Sequence, residues 1–265
     1  INKRALDVLL DWRLFLIVSA SSLTIASGYI INNFYDTKKD LINRPRKAML
    51  DRLVSQGTKL KVYFSINLFV VFLASFISWK AILFFSSFIF IIWYYSHKLK
   101  KYPIIGNLTA AFLAVLPFFG VLMYYKNFYD VIFAHATFLY LLILLREFVK
   151  DLENIEGDLV ADYKTIPVLY GEVAAKYTIT VLIILTIIPV YFLIDVYDVG
   201  YMDVYFYISY MFLLFFLLKL WKSKTKKEFL KLHFLLKLII LAGVFCIVLI
   251  EPEVLLHGKK LISTY

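Results

Sequence analysis

Long apolar stretches alternate with short charged segments along the whole chain. The apolar stretches cover about 14–33, 62–79, 81–96, 104–125, 131–149, 174–195, 201–220 and 235–255. A hydrocarbon layer about 30 Å thick takes roughly 20 helical residues to cross. Backbone in lipid must satisfy its own hydrogen bonds, which helices do. The pattern therefore predicts an all-α fold, a polytopic transmembrane helix bundle with eight spans around a central cavity, as one domain over residues 1–265. Lys80 is the only clear break between the second and third spans. Pro117 and Pro189 fall inside spans and are expected to kink them.

Composition supports lipid as the solvent. Hydrophobic residues make up 62% of the 265, with 25 Phe and 20 Tyr, more than one water-soluble core can hide. The single Cys246 excludes an intrachain disulfide and any multi-cysteine metal site. The net charge of +10 would suggest nucleic acid in a soluble protein, but its distribution argues otherwise. Lysine and arginine crowd 38–61, 98–101, 146–164 and 219–231, while Lys80 and Lys126 stand alone and 195–203 has neither. Alternating basic and neutral loops follow the positive-inside rule. The basic loops are expected on the cytoplasmic face, and nucleic acid is not an expected partner. Lys3, Arg4 and Arg13 would then lie outside, where they fit poorly. A further helix ahead of Ile1, apparently missing from this chain, would reconcile them.

The first charged segment, "INNFYDTKKDLINRPRK", carries Asn32, Asp36 and Asp40 at four-residue intervals. On a helix continuing past Tyr35 they share one face, each about 6 Å further along. A ladder of oxygen atoms at a membrane mouth suits Mg²⁺, which keeps waters and takes phosphate oxygens as further ligands. Arg44, Arg46 and Lys47 follow and could pair with those phosphates. Taken alone, the segment also fits an ordinary solvated helix end. The segment 146–171 changes that weighing. It holds Glu147, Asp151, Glu153, Glu156, Asp158 and Asp162, and Asn154, Asp158 and Asp162 repeat the four-residue interval. Two acidic ladders at one membrane face can hold two metal ions on one diphosphate, and an unfilled carboxylate cluster needs a cation to offset its repulsion.

These segments resemble the UbiA superfamily of intramembrane prenyltransferases. "NNFYDTKKDLINRP" follows the family's first signature at Asn32, Asp36, Asp40, Asn43 and Pro45. "KDLENIEGDLVADYKTIP" follows its second at Lys150, Asp151, Glu156, Gly157, Asp158, Lys164, Thr165 and Pro167. Between them "YYSHKLKKYPIIGN" is similar to a third segment at Tyr95, Lys100, Gly106 and Asn107. The departures are Asn33, Asn154 and Asp162, where many members have Asp, Asp and Gly.

The resemblance implies nine helices in the family and Mg²⁺-dependent prenyl transfer from a prenyl diphosphate to a lipid-soluble or amphiphilic acceptor. It implies Asn32, Asp36 and Asp40 on one Mg²⁺, and Asp151 and Asp158, with Asn154 as a further candidate, on the second. Asp36, Asp40, Asp151 and Asp158 are then catalytic. Arg46, Lys100 and Lys164 would contact the diphosphate, with Tyr95 beside Lys100. Phe34, Tyr35, Tyr94 and Phe118 are candidates for the wall of a prenyl tunnel. The second segment is similar to the branch that alkylates geranylgeranylglyceryl phosphate; quinone-ring and chlorophyllide-type acceptors stay open. A transporter would place its charges near the bilayer midplane, whereas here they collect at one face. A phosphotransferase of activated alcohols would carry a D-G-x-x-A-R signature, which is absent. A catalytically inactive family member is the remaining alternative. His97 and His135 are expected to be a loop residue and a hydrogen-bonded core residue.

Overall fold

The computed structural model describes residues 10–246. The expectations about Lys3, Arg4 and a missing first helix, and the end of the last span beyond 246, lie outside them. Among the described residues, eight helical segments are long and apolar enough to cross a membrane. Their outer faces carry large exposed apolar side chains such as Phe64, Phe72, Leu83, Tyr207 and Leu214. In water such a surface would be untenable; in lipid it is the expected one. The protein is a multi-pass membrane protein.

Helix α1, Trp12–Asn43, starts at Asp11, whose side chain accepts from the Arg13 amide at 3.0 Å. It runs well past the apolar stretch, so Asn32, Asp36 and Asp40 do share one helix face. It stops because Arg44 precedes Pro45 and is pushed out of the helical region, to φ −144°, ψ 62°. Pro45 then opens α2, Pro45–Asp51, where its missing N–H is harmless. Helix α3 is Gln56–Ser75, capped by Ser55. Helix α4 is Trp79–His97, and the Ser78 hydroxyl accepts from the Ala81 amide at 3.1 Å. The break between these spans is therefore at 76–78, not Lys80, which is inside α4; the capping serine carries the signal. A 3₁₀ turn, Leu99–Lys101, leads to α5, Ile105–Tyr125. Then follow α6, Asp130–Glu153, and the short α7, Ile155–Val160.

Helix α8, Ile166–Leu185, is interrupted at Gly171, with φ 84° and ψ 167°. Glycine takes this conformation without steric cost. Next come α9, Ile187–Tyr191, a π turn at Phe192–Val196, α10, Asp203–Lys222, and α11, Lys226–Cys246. Pro189 has no N–H for the Leu185 carbonyl, and α8 ends at Leu185.

By packing, the chain divides into two units. The first holds the chain up to Asn127 together with Ile155–Val168. Its core joins α1, α3, α4 and α5 through Ile17, Val70, Phe85, Phe88 and Leu113. Inside it Ser27 donates to Asn67 at 2.8 Å, so a polar pair joins α1 to α3 within the apolar span. The second unit holds Phe128–Asn154 and the chain from Leu169. There α6 packs on α11, with Phe138, Leu142, Phe206, Leu213 and Leu236 buried. His233 Nδ1 lies 2.8 Å from Glu153 Oε2, closing the α6–α11 pair with a buried polar contact.

Candidate active site

The end of α1 gathers the chemistry of the first unit. Lys100 comes from the 3₁₀ turn, with its side chain only 5% exposed. Its ammonium donates to Asp36 Oδ1 at 2.8 Å and to Asn32 Oδ1 at 3.1 Å. Two oxygens one helical turn apart thus converge on one cation. The Tyr163 hydroxyl donates to the same Asp36 oxygen at 2.7 Å. Burial and the Asp36 and Asp158 carboxylates nearby push the Tyr163 phenol up, so it stays a proton donor. Asp158, fully buried, pairs with the Lys39 ammonium. That ammonium also lies 4.6 Å from the centre of the Tyr163 ring, within cation–π range. The first and second sequence motifs therefore meet around Lys39, Lys100 and Tyr163. Asp40 is more open, with Lys47 Nζ 3.3 Å from its Oδ2.

Close packing seats Asp158. Helix α7 lies so near α1 that a Cβ on Gly157 would fall inside the Asn43 carboxamide. Asn43 and Gly157, both motif letters, are thus contact residues. Asn33 is another: its amide donates to Asp51 at 2.7 Å and its oxygen accepts from Lys59 at 3.4 Å. It ties α1 to α2 and α3, and a carboxylate here would face Asp51.

The remaining expected residues divide. Tyr95 is half-buried against the first unit's core. Arg46 is exposed on α2. Lys164 is exposed, and its amide donates to the Lys101 carbonyl at 2.8 Å. Asp151 and Asn154 belong to the second unit, at the C-terminal end of α6. Asn154 closes that helix by donating from Nδ2 to the Lys150 carbonyl at 2.6 Å. An aspartate there could not donate, so the amide is not simply a weakened ligand. Of the aromatic candidates, Phe34 and Tyr35 line an apolar groove of about 530 Å³ with Tyr63, Phe90 and Trp93. Tyr94 stacks on Phe90, and Phe118 is exposed.

Sequence reasoning missed Lys39 and Tyr163. Lys39 lies three residues after Asp36 and so near its face, a spacing that was available. Tyr163 was hidden among the chain's many aromatics. His97 ends α4 with its ring stacked on Trp93, centroids 5.4 Å apart. His135 hydrogen-bonds through Nδ1 to the Val131 carbonyl at 2.8 Å, one turn back on its own helix. Replacing His135 by Ala is therefore expected to leave the Mg²⁺ dependence of activity unchanged, which a Mg²⁺ titration of the variant checks.

Among the described residues no three His, Cys, Asp or Glu side chains form a ready metal cluster. Instead Asp36, Asp40 and Asp158 each hold a lysine ammonium. The repulsion expected of clustered carboxylates is thus already offset. The donor set still suits a hard cation: carboxylate and carboxamide oxygens, with Asn32 and Asp36 demonstrably able to share one positive charge.

The sequence profile of the UbiA prenyltransferase family matches residues 5–247. This chain belongs to that family. It is 30% identical over 211 residues to a digeranylgeranylglyceryl phosphate synthase of Methanobrevibacter smithii, covering 73% of this chain and 72% of the relative. It is 35% identical over 167 residues to the synthase of that name from Thermococcus gammatolerans, covering 62% of this chain and 59% of the relative. A UbiA homologue from Archaeoglobus fulgidus, solved with GPP and Mg²⁺ bound, superposes with a TM-score of 0.64 at 18% identity, over 89% of this chain and 87% of that one. The fold is thus that of the UbiA enzymes, and the chain is a prenyltransferase by family.

Proposed function

We propose that this UbiA member transfers a prenyl group from a prenyl diphosphate to the hydroxyl of a phosphorylated prenyl-glyceryl ether, a reading supported by its similarity to relatives named digeranylgeranylglyceryl phosphate synthase. The observation that carries the reading is the convergence of Asn32, Asp36 and Asp158 with Lys39, Lys100 and Tyr163. Asn32, Asp36, Asp40 and Asp158, all in the first unit, are the residues that would hold Mg²⁺. When bound, Mg²⁺ neutralises charge on the diphosphate.

The reaction breaks the bond between prenyl C1 and the diphosphate oxygen, and the electron pair leaves with the diphosphate. C1 bonds to the acceptor oxygen, whose proton passes to the departing diphosphate or to solvent. The protein's task is to stabilise charge on the leaving group. Lys100 and Lys39 pair with Asp36 and Asp158, and their ammonium groups would also serve as contacts for phosphate oxygens. Tyr163 keeps its proton and fixes Asp36 by donation. The basic segments around the site follow the positive-inside pattern, which supports a cytoplasmic mouth.

The test is incubation of the purified protein with labelled geranylgeranyl diphosphate and three acceptors: geranylgeranylglyceryl phosphate, a quinone-ring precursor and chlorophyllide. Transfer to the first, present with Mg²⁺ and abolished by EDTA, is expected. Transfer to a ring acceptor alone would overturn the acceptor reading, and EDTA-resistant transfer would overturn the metal reading.

A further inference from the structure

A second cavity lies beside the carboxylates, also within the first unit. It measures about 470 Å³ and is lined by His97, Lys98, Lys101, Tyr102, Asp162 and Lys164. Three lysines line it against one aspartate. Among the described residues none of these three lysines is in an ion pair, whereas Lys39, Lys47 and Lys100 next door all hold carboxylates. Unpaired like charges kept close together are unfavourable without a counter-charge. The recess is open to solvent, and all six lining residues are exposed. Its walls are joined by the bond from the Lys164 amide to the Lys101 carbonyl, 2.8 Å. Asp162 sits in the left-handed region at φ 55°, a conformation aspartate tolerates. The His97 ring is held by Trp93 on one side and meets Tyr35 edge-on at 5.3 Å.

The cavity is also placed with respect to the chemistry. Lys100 and Lys101 are consecutive on the 3₁₀ turn, and one reaches Asp36 while the other lines the cavity. The Lys101 ammonium lies 6.0 Å from the centre of the Tyr163 ring, whose hydroxyl is on Asp36. One aromatic side chain therefore bridges the two. A phosphate and a hydroxyl on one glyceryl unit are a few bonds of about 1.5 Å apart, a span of the same order.

We propose that this cavity binds the phosphate monoester of the acceptor lipid, with Lys98, Lys101 and Lys164 as its cationic contacts and the acceptor hydroxyl turned toward the carboxylates. The proposal rests on the acceptor reading above and makes Lys164 an acceptor contact instead of a diphosphate contact. A phosphate monoester carries about −1.5 to −2 charges at pH 7, so three lysines suit it. Asp162 can accept from a hydroxyl beside the phosphate.

The test compares the full-length protein with the double variant Lys98→Ala/Lys101→Ala. The KM for geranylgeranylglyceryl phosphate is expected to rise at least about tenfold, as loss of charge-assisted contacts implies. The KM for prenyl diphosphate and the Mg²⁺ dependence should not move. Lys98→Arg/Lys101→Arg should restore most of the lost affinity. A rise in the KM for prenyl diphosphate instead would give the cavity to the diphosphate and overturn the proposal. So would an unchanged acceptor KM, or a rate that follows the anionic phospholipid content of the vesicles and loses that dependence in the double variant. Calorimetry with glycerol phosphate tests the cavity separately. Heat of binding lost in the double variant supports it, and no binding to the wild type overturns it. A wild type that binds glycerol phosphate but prenylates no phosphorylated acceptor would sink the acceptor reading instead.

Discussion

Asp36→Asn and Asp158→Asn are each expected to lower prenyl transfer about 10²–10³-fold, the usual loss when an electrostatic contact to the transition state is removed. The loss should fall on turnover, because the charge on the departing diphosphate is greatest at the transition state. Each side chain also holds a protein cation. Asp36 takes Lys100 and the Tyr163 hydroxyl, and the fully buried Asp158 takes Lys39. Clustered acids alone would repel, so from the sequence neutralising one is expected to leave stability little changed or to raise it. The observed pairing reverses that expectation. Asp158→Asn leaves the Lys39 ammonium, itself only 15% exposed, without its countercharge, and removing one partner of a buried pair destabilises. The melting temperature in detergent should fall for Asp158→Asn, and the rise on adding Mg²⁺ expected of the wild type should be lost in the variant. Full activity in both variants would sink the metal–diphosphate reading.

How much of this was legible in the sequence depends on the kind of signal. The spans were legible because lipid permits almost nothing else over twenty apolar residues. Their ends were less so. Helix α1 continues ten residues beyond its apolar stretch, to Asn43, since a helix needs no apolar residues once it leaves the membrane. Helix α11 likewise begins at Lys226, ahead of its apolar run. Lysine at position 80 looked like a break, but a serine cap two residues earlier decides the boundary. In the site, the four-residue interval of Asn32, Asp36 and Asp40 was a direct statement about helix geometry. The partnership of Asp36 with Lys100, 64 residues away, was not, because no local period encodes a contact between separate elements. The same limit hid Tyr163. It also let Asn33 and Asn154 read as departures from the family pattern, when each has a contact or capping role that only the packing reveals.

That distinction makes Gly157 the most sensitive position outside the charged groups. Gly157→Ala is expected to cost more than tenfold in activity, although it adds only one methyl group. The added carbon would overlap the Asn43 carboxamide, and both Asn43 and the neighbouring Asp158 are buried, so there is little room to yield. Overpacking of this kind usually costs about 1–3 kcal/mol. Here it would move α7, and with it the carboxylate of Asp158, away from Lys39. A shift of about 1 Å in a catalytic group can cost on the order of 10²-fold in rate. The cause can be separated from general damage by a double-mutant cycle. Asn43→Ala removes the atoms that Gly157→Ala would strike, so the double variant should be more active than Gly157→Ala alone, with a coupling of about 0.5–3 kcal/mol. Activity and detergent melting temperature measured on the four members of the cycle decide the matter. Strict additivity would mean that Gly157 is required for something other than its contact with Asn43, and the account of how α7 is seated on α1 would fail.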